Sequence, residues 1–228
     1  MGQAIADFHR RGVASTLRVF SPMFDEDEIP VDMLFRQVDD MPVLERCALD
    51  KACGRTLDVG AGAGCHTLEL QRRGIDVTAV DISPLAVATM RQRGVKKAVE
   101  SDFFDLNESY DTILMLMNGI GIVGTLDRLP QFFAHLDRVL APGGQVLCDS
   151  SDISYVFRDD DGVLDYPGDG YYGELVYRMQ YGDTVGEPFP WLFIDRDTLA
   201  AAARQAGYRM DVVAEGEHYD YLARLTKL

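Results

Sequence analysis

An α/β fold, with a mostly parallel sheet covered by helices on both faces, is what this sequence predicts, and three observations carry it. From Thr56 onward, short apolar runs of strand length alternate with segments of helical periodicity, the pattern of βα units. The first of those runs, Thr56 to Val59, passes straight into Gly60, Gly62 and Gly64 and then into a helical pattern at Thr67-Leu68-Glu69-Leu70. At 228 residues, the chain can bury one sizeable core, or one core with a small addition.

Residues 1–54 read as a helical lead-in. Gln3 to Arg10 is a short amphipathic candidate, and Ser21-Pro22 breaks the chain. Pro42 to Ala52 is a stronger helix, with proline in its first turn, Val43, Leu44, Cys47 and Leu49 on one side, and Gly54 to end it. Arg18 to Phe24 mixes apolar groups with turn chemistry; it either packs on the core or forms a lid over a ligand.

Residues 55–228 form the main domain. After the glycine loop, Cys65 to Arg73 is a helix, Asp76 to Val80 the second strand, and Pro84 to Arg93 a helix stopped by Gly94. Lys97 to Glu100 is the third strand and Thr112 to Met117 the fourth. A helix from about Leu126 to Leu140 leads through Ala141-Pro142-Gly143-Gly144 to the fifth strand, Gln145 to Cys148. Tyr171 to Tyr181 and Pro188 to Ile194 read as a β-hairpin inserted at about 150–195. Asp197 to Gln205 is the last helix, and Tyr208 to Ala214 pairs with Tyr219 to Leu225 to close the sheet.

Charge and cysteines narrow the function. A formal net charge of −15 repels phosphate backbones and argues against nucleic acid or an anionic membrane as the main partner. Cys47, Cys53, Cys65 and Cys148 have no C-x-x-C spacing, so neither a zinc site nor a disulfide framework is expected. MGQAIADFHRRG has no apolar signal core, and no run is long enough to span a membrane, so a cytoplasmic location is expected.

The glycine loop offers backbone N–H groups and a helix N-terminus to a ligand. A dinucleotide fingerprint needs a third glycine where Cys65 stands. What is present is D-x-G-x-G-x-G, with Asp58 first. That motif resembles the first motif of the class I S-adenosylmethionine-dependent methyltransferases. Asp81, about twenty residues on, suits the two hydroxyls of a ribose in either reading. Asp102-Phe103 resembles the family's adenine-gripping position, and Leu140 to Gly144 resembles its recurrent L-x-P-G-G turn.

The resemblance, specific over Thr56 to Ala141, implies a Rossmann-like seven-stranded sheet with an antiparallel terminal strand. It implies S-adenosylmethionine as cofactor, held by Asp58, Gly60, Ala61, Gly62, Gly64, Asp81, Ile82, Asp102, Phe103, Met117 and Asn118. Asp58 would serve the amino acid half, Phe103 would lie against adenine, and the strand end at Met117-Asn118 would stand beside the methyl group. Methyl transfer is an in-line displacement on an activated carbon and does not require a base, so no catalytic residue is assigned. Asp149, Asp152 and Asn118 have the oxygen chemistry of a metal site, but their spacing requires none; loop-shaping hydrogen bonds are expected instead and no metal is assigned.

Tyr171, Tyr172, Tyr177, Tyr181, Phe189, Trp191 and Phe193 supply aromatic walls for a small organic methyl acceptor, with Tyr172 and Trp191 preferred. A monomer or homodimer is expected. Two other readings stay open at this point: a nicotinamide-dinucleotide oxidoreductase, and a non-catalytic nucleoside-binding protein of the same fold.

Overall fold

The computed structural model describes residues 1–159 and 161–228. Among the described residues, twelve strands and six α-helices follow one another as α1 (Gly2–Arg11), β1 (Leu17–Ser21), β2 (Phe24–Ile29), α2 (Val43–Lys51), β3 (Arg55–Val59), α3 (Cys65–Arg72), β4 (Asp76–Asp81), α4 (Pro84–Gln92), β5 (Ala98–Glu100), β6 (Tyr110–Met115), α5 (Leu129–Val139), β7 (Leu140–Ser151), β8 (Glu174–Tyr181), β9 (Thr184–Val185), β10 (Phe189–Leu192), α6 (Arg196–Gln205), β11 (Tyr208–Glu215) and β12 (Asp220–Lys227). Within the acidic stretch between β7 and β8, Asp160 lies outside the described residues.

The main sheet has seven strands in the order β11-β12-β7-β6-β3-β4-β5. Pairings from β7 to β5 are parallel, and β12 runs antiparallel between β7 and β11. Leu57, Ile113 and Val146 line up across neighbouring strands with no exposed surface, packed between layers of helices. The final antiparallel hairpin, β11 with β12, thus closes one edge of the sheet as expected, with β12 running against both of its neighbours. Helix signals worked as capping physics predicts: Ser83 Oγ accepts the Ala86 N–H at the start of α4, with Pro84 in its first turn.

Residues 1–54 are not a purely helical lead-in. The segment that sequence left between core packing and a lid is the β-hairpin of β1 and β2. It joins the inserted strands in a second, antiparallel sheet of order β10-β8-β1-β2, with β9 on β8. Mixed apolar and acidic residues at Leu17 to Ile29 obscured strand alternation, because one face of this sheet is neither core nor fully solvated. Among the described residues, no helix is long and apolar enough to cross a membrane.

Candidate active site

Chemistry-bearing residues collect at the C-terminal ends of β3, β4, β5 and β6, where parallel strands open a crevice. Beyond β3, Gly62 takes φ +57°, a left-handed backbone that a branched side chain would strain. Its N–H donates to Asp81 Oδ2 at 2.9 Å, while Gly60 and Ala61 N–H groups donate to the Val80 carbonyl at 2.9 and 3.1 Å. The loop is thereby tied to the end of β4. A Cβ placed on Gly60 would meet nothing within 4 Å, so the loop faces open space. Gly64 has the opposite surroundings, with Met90 and Val95 carbons 3.1 Å from where its Cβ would lie; it is a packing glycine.

Asp58 stands near the end of β3 as expected, with its carboxylate turned beneath the loop. It is 1% exposed beneath the loop, and its carboxylate accepts Thr67 Oγ1 at 2.6 Å. Burial raises its pKa, opposed by His66 and Thr67. Asp58 supports the loop from below rather than presenting an oxygen to a ligand's amino acid half. Asp81 is better placed: it accepts Gly62 N–H and Ser83 N–H (2.8 Å), and burial raises its carboxyl against those two bonds. Ile82 beside it is 74% exposed, an apolar surface projecting at the strand end.

Two further expectations are corrected. Asp102 is exposed and accepts the Phe104 N–H at 2.9 Å, but Phe103 is 3% exposed. Its ring packs on Phe104, Phe132 and His135 with centroids 5.3, 6.3 and 4.6 Å away. The turn begun by Asp102 swings that ring into the core, so the exposed apolar surface at this end is Ile82. Asn118 also has its amide committed: Nδ2 donates to the Leu192 carbonyl at 3.2 Å and Oδ1 accepts Ser150 Oγ at 3.0 Å. It joins the exit of β6 to the inserted strand β10 instead of facing a ligand.

Met117 and Asn118 hold φ of 64° and 54°, two successive non-glycine residues in the left-handed region. Asp149 over-determines that bend, accepting Met117 N–H at 3.1 Å and Gly119 N–H at 3.2 Å. Burial pushes its carboxyl up to about 6 despite those donors. Asp152 likewise accepts Ser154 N–H at 2.9 Å. Both carboxylates shape loops, as their sequence context suggested. Met117 itself is half-buried, in one apolar cluster with Ile5 of α1, Leu34 and Ala63 of the glycine loop.

Sequence reasoning missed a buried polar group beside the loop. Glu45 on α2 meets His66 Nε2 at 2.9 Å and Arg36 Nε at 3.1 Å, with all three side chains nearly buried. Burial opposes charge on His66, but Cys65, Glu45 and Asp58 outweigh it and its pKa stands well above the usual histidine value. A signal existed: Glu45 shares a helix face with Ala48 and Leu49, both buried.

Between the second sheet and the exit of β6 lies a cavity of about 560 Å³. Met117 forms its floor, with Leu34, Tyr177, Met179, Phe189 and Trp191 in its walls. Trp191 packs so closely on Gly121 that a Cβ there would fall within the indole. Of the two preferred substrate residues, Trp191 lines this cavity and Tyr172 does not. The Tyr172 hydroxyl donates to Asp152 at 2.8 Å and its ring packs on Tyr171 at 4.5 Å, anchoring the insert.

Residues 57–148 match the model of the methyltransferase domain family. A S-adenosylmethionine-dependent methyltransferase from Bacteroides fragilis, solved with S-adenosyl-L-homocysteine, is 54% identical, with a TM-score of 0.94 over 100% of this chain and 94% of that one. Hemagglutinin 1 of Eikenella corrodens is 31% identical over 61% of this chain and 52% of its own length. The demethylmenaquinone methyltransferase of Tropheryma whipplei is 33% identical over 42% of this chain and 41% of its own. This chain thus spans about half or less of the curated relatives that it matches.

Proposed function

This chain belongs to the S-adenosylmethionine-dependent methyltransferases, and from that premise we propose that it moves the cofactor's methyl group onto a small organic acceptor held in the cavity above Met117. The observation that carries the proposal is that cavity: aromatic-walled, about 560 Å³, and floored by Met117, which shares an apolar cluster with Ala63 of the glycine loop. Relatives named for demethylmenaquinone and for ubiquinone biosynthesis support a small-molecule acceptor in general. A nicotinamide dinucleotide finds no support, since buried Cys65 stands in place of the third glycine.

On this reading, backbone groups of Gly60, Ala61 and Gly62 receive the amino acid half, and Asp81 accepts the ribose hydroxyls. Ile82 covers one face of adenine, and Asp102 takes its amine. The open space over Gly60, the paired but accessible strand end at Asp81 and the bare Ile82 side chain all fit such a ligand. Bound there, the cofactor would supply a methyl group already activated as a sulfonium. The protein's part is to hold the acceptor in line with it and to exclude water. We also propose that α1 is the lid: Ile5 packs against Ala63 and its Cδ1 lies 3.9 Å from a Cβ position on Gly62.

Trp191→Phe tests the acceptor site. We expect KM for the acceptor to rise about tenfold, as one indole face is lost, while calorimetric affinity for S-adenosylhomocysteine stays unchanged. Unchanged KM would remove the cavity from the reaction.

A further inference from the structure

The second sheet sorts its charges in a way that the core does not require. Cross-strand partners share a face, and the register places Asp27 opposite Val19, Val19 opposite Met179, Tyr177 opposite Phe189 and Trp191 opposite Leu175, all on the inner face. The outer face takes the cations. Arg18 pairs with Glu26 at 3.1 Å, and Arg18 and Arg178 flank the Phe20 ring at 5.6 and 5.4 Å. Asp27 stands exposed on the edge strand β2, on the same side of the sheet as the cavity.

The cavity keeps this bias. Its lining includes Asp25, Glu26 and Asp27 and the rings of Phe24, Tyr177, Phe189 and Trp191, and among the described residues no lysine, arginine or histidine; the one cationic group there is the α-amino group of Met1, which interacts with Asp81 and whose pKa burial lowers. Glu26 is held by Arg18, whereas no ion pair among the described residues engages Asp25 or Asp27. Tyr177 feels the uncompensated charge: burial, with Asp27 adding to it, pushes its hydroxyl up to about 12. Carboxylates with aromatic faces and no basic side chain repel anions and favour cations, because ring quadrupoles and carboxylates attract the same sign.

We infer that the acceptor is an amine, a small molecule whose protonatable nitrogen sits against Asp27 while its apolar body lies among Tyr177, Phe189 and Trp191. This rests on the cavity being the acceptor site. Bound as an ammonium, the nitrogen releases one proton to water at the open mouth of the cavity. Its freed lone pair forms the new N–C bond as the sulfonium C–S bond breaks, and the C–S pair stays on sulfur. The products are an N-methylammonium and the thioether S-adenosylhomocysteine. Phenolate or carboxylate oxygens would carry negative charge into an acidic site, so relatives named for quinones do not set the acceptor here.

Trp191 is the single tryptophan of the chain, so its fluorescence reports the occupant directly. The full chain saturated with S-adenosylhomocysteine is titrated with 2-phenylethylamine, 2-phenylethanol and 3-phenylpropanoate, and turnover of the amine is followed in parallel with the methyl donor. We expect the amine to bind about tenfold or more tighter than the alcohol, with no response to the carboxylate. Asp27→Asn should bring amine affinity down to that of the alcohol, and Glu28→Gln, on the outer face, should leave it unchanged. Equal affinities, preference for the alcohol or carboxylate, or an Asp27→Asn variant indistinguishable from wild type overturns the inference while leaving the cavity in place. No fluorescence response to any probe, together with turnover that Trp191→Phe leaves unaltered, overturns the cavity reading itself.

Discussion

From Thr56 to Asp102, site residues come from consecutive strand ends of one sheet, β3, β4 and β5. Around the cavity, wall residues come from β2, β8 and β10, which join segments near the start of the chain to segments near its end. A right-handed βα succession sets neighbouring strand ends side by side without further instruction. The second sheet has no such guarantee, since its strands must find each other across the whole main domain. The proposed cofactor half is therefore built from neighbouring strand ends, and the proposed acceptor half is a long-range assembly. Asn118 and Asp149 stand at the joint between them.

Gly62→Val should break the cofactor half most severely. Valine at φ +57° strains the loop and presses toward Ile5, whose Cδ1 lies 3.9 Å from the Cβ position, so we expect affinity for S-adenosylhomocysteine to fall about a hundredfold or more. The Trp191 response to an acceptor probe should survive in the same variant. Loss of both in a folded protein would mean that the two halves are not separable.

Asp149 sharpens the comparison through pH. Its folded carboxyl titrates near 6 against an ordinary value of 3.8. As pH rises from about 4 to about 6, the unfolded chain releases this proton before the folded one does. Its contribution to stability therefore falls across that window, by roughly 2–3 kcal/mol, and is level above it. Asp149→Asn does not titrate, so the stability difference between wild type and variant should narrow by that amount as pH rises. Denaturant titrations between pH 4 and pH 7 would measure it; a difference independent of pH would mean that this carboxyl ionises normally.

Asn118 separates backbone strain from the tie between the halves. Asn118→Ala removes the amide donor to the Leu192 carbonyl and the acceptor of the Ser150 hydroxyl, whose Oγ still accepts the Ile194 N–H, and keeps a Cβ at φ 54°, at an expected loss of about 1–3 kcal/mol. Asn118→Gly removes the strain but not the lost bonds, and should recover roughly 1 kcal/mol of that. Acceptor KM should rise in both, with cofactor affinity unchanged. Wild-type KM in Asn118→Gly would show that the side chain does not position β10.

Much of the backbone frame of the proposed cofactor half was legible in sequence, and the misdirected side chains share one cause. Asp81, Ile82 and the glycines stand at strand ends as expected, because a period-2 run followed by glycine locates a strand end closely. Phe103 and Asn118 were given the correct position and the wrong direction. Where a side chain points from a turn depends on φ and on hydrogen-bond partners far along the chain, Phe132 and His135 for the first, Ser150 and Leu192 for the second. Glu45 escaped notice because its polarity hid a buried helix position.

Sequence alone determined the main sheet, its order of elements, the glycine loop and the acid after β4, since hydrophobic periodicity and glycine's freedom act within a few residues. It also placed aromatic residues in the insert. Only the tertiary structure decided that residues 17–29 and 174–192 form one sheet, that Asp27 faces inward, and that Trp191 lines the cavity while Tyr172 anchors its frame. Register between distant strands is set by the packing of whole faces, and a shift of one residue would exchange every inward side chain for an outward one.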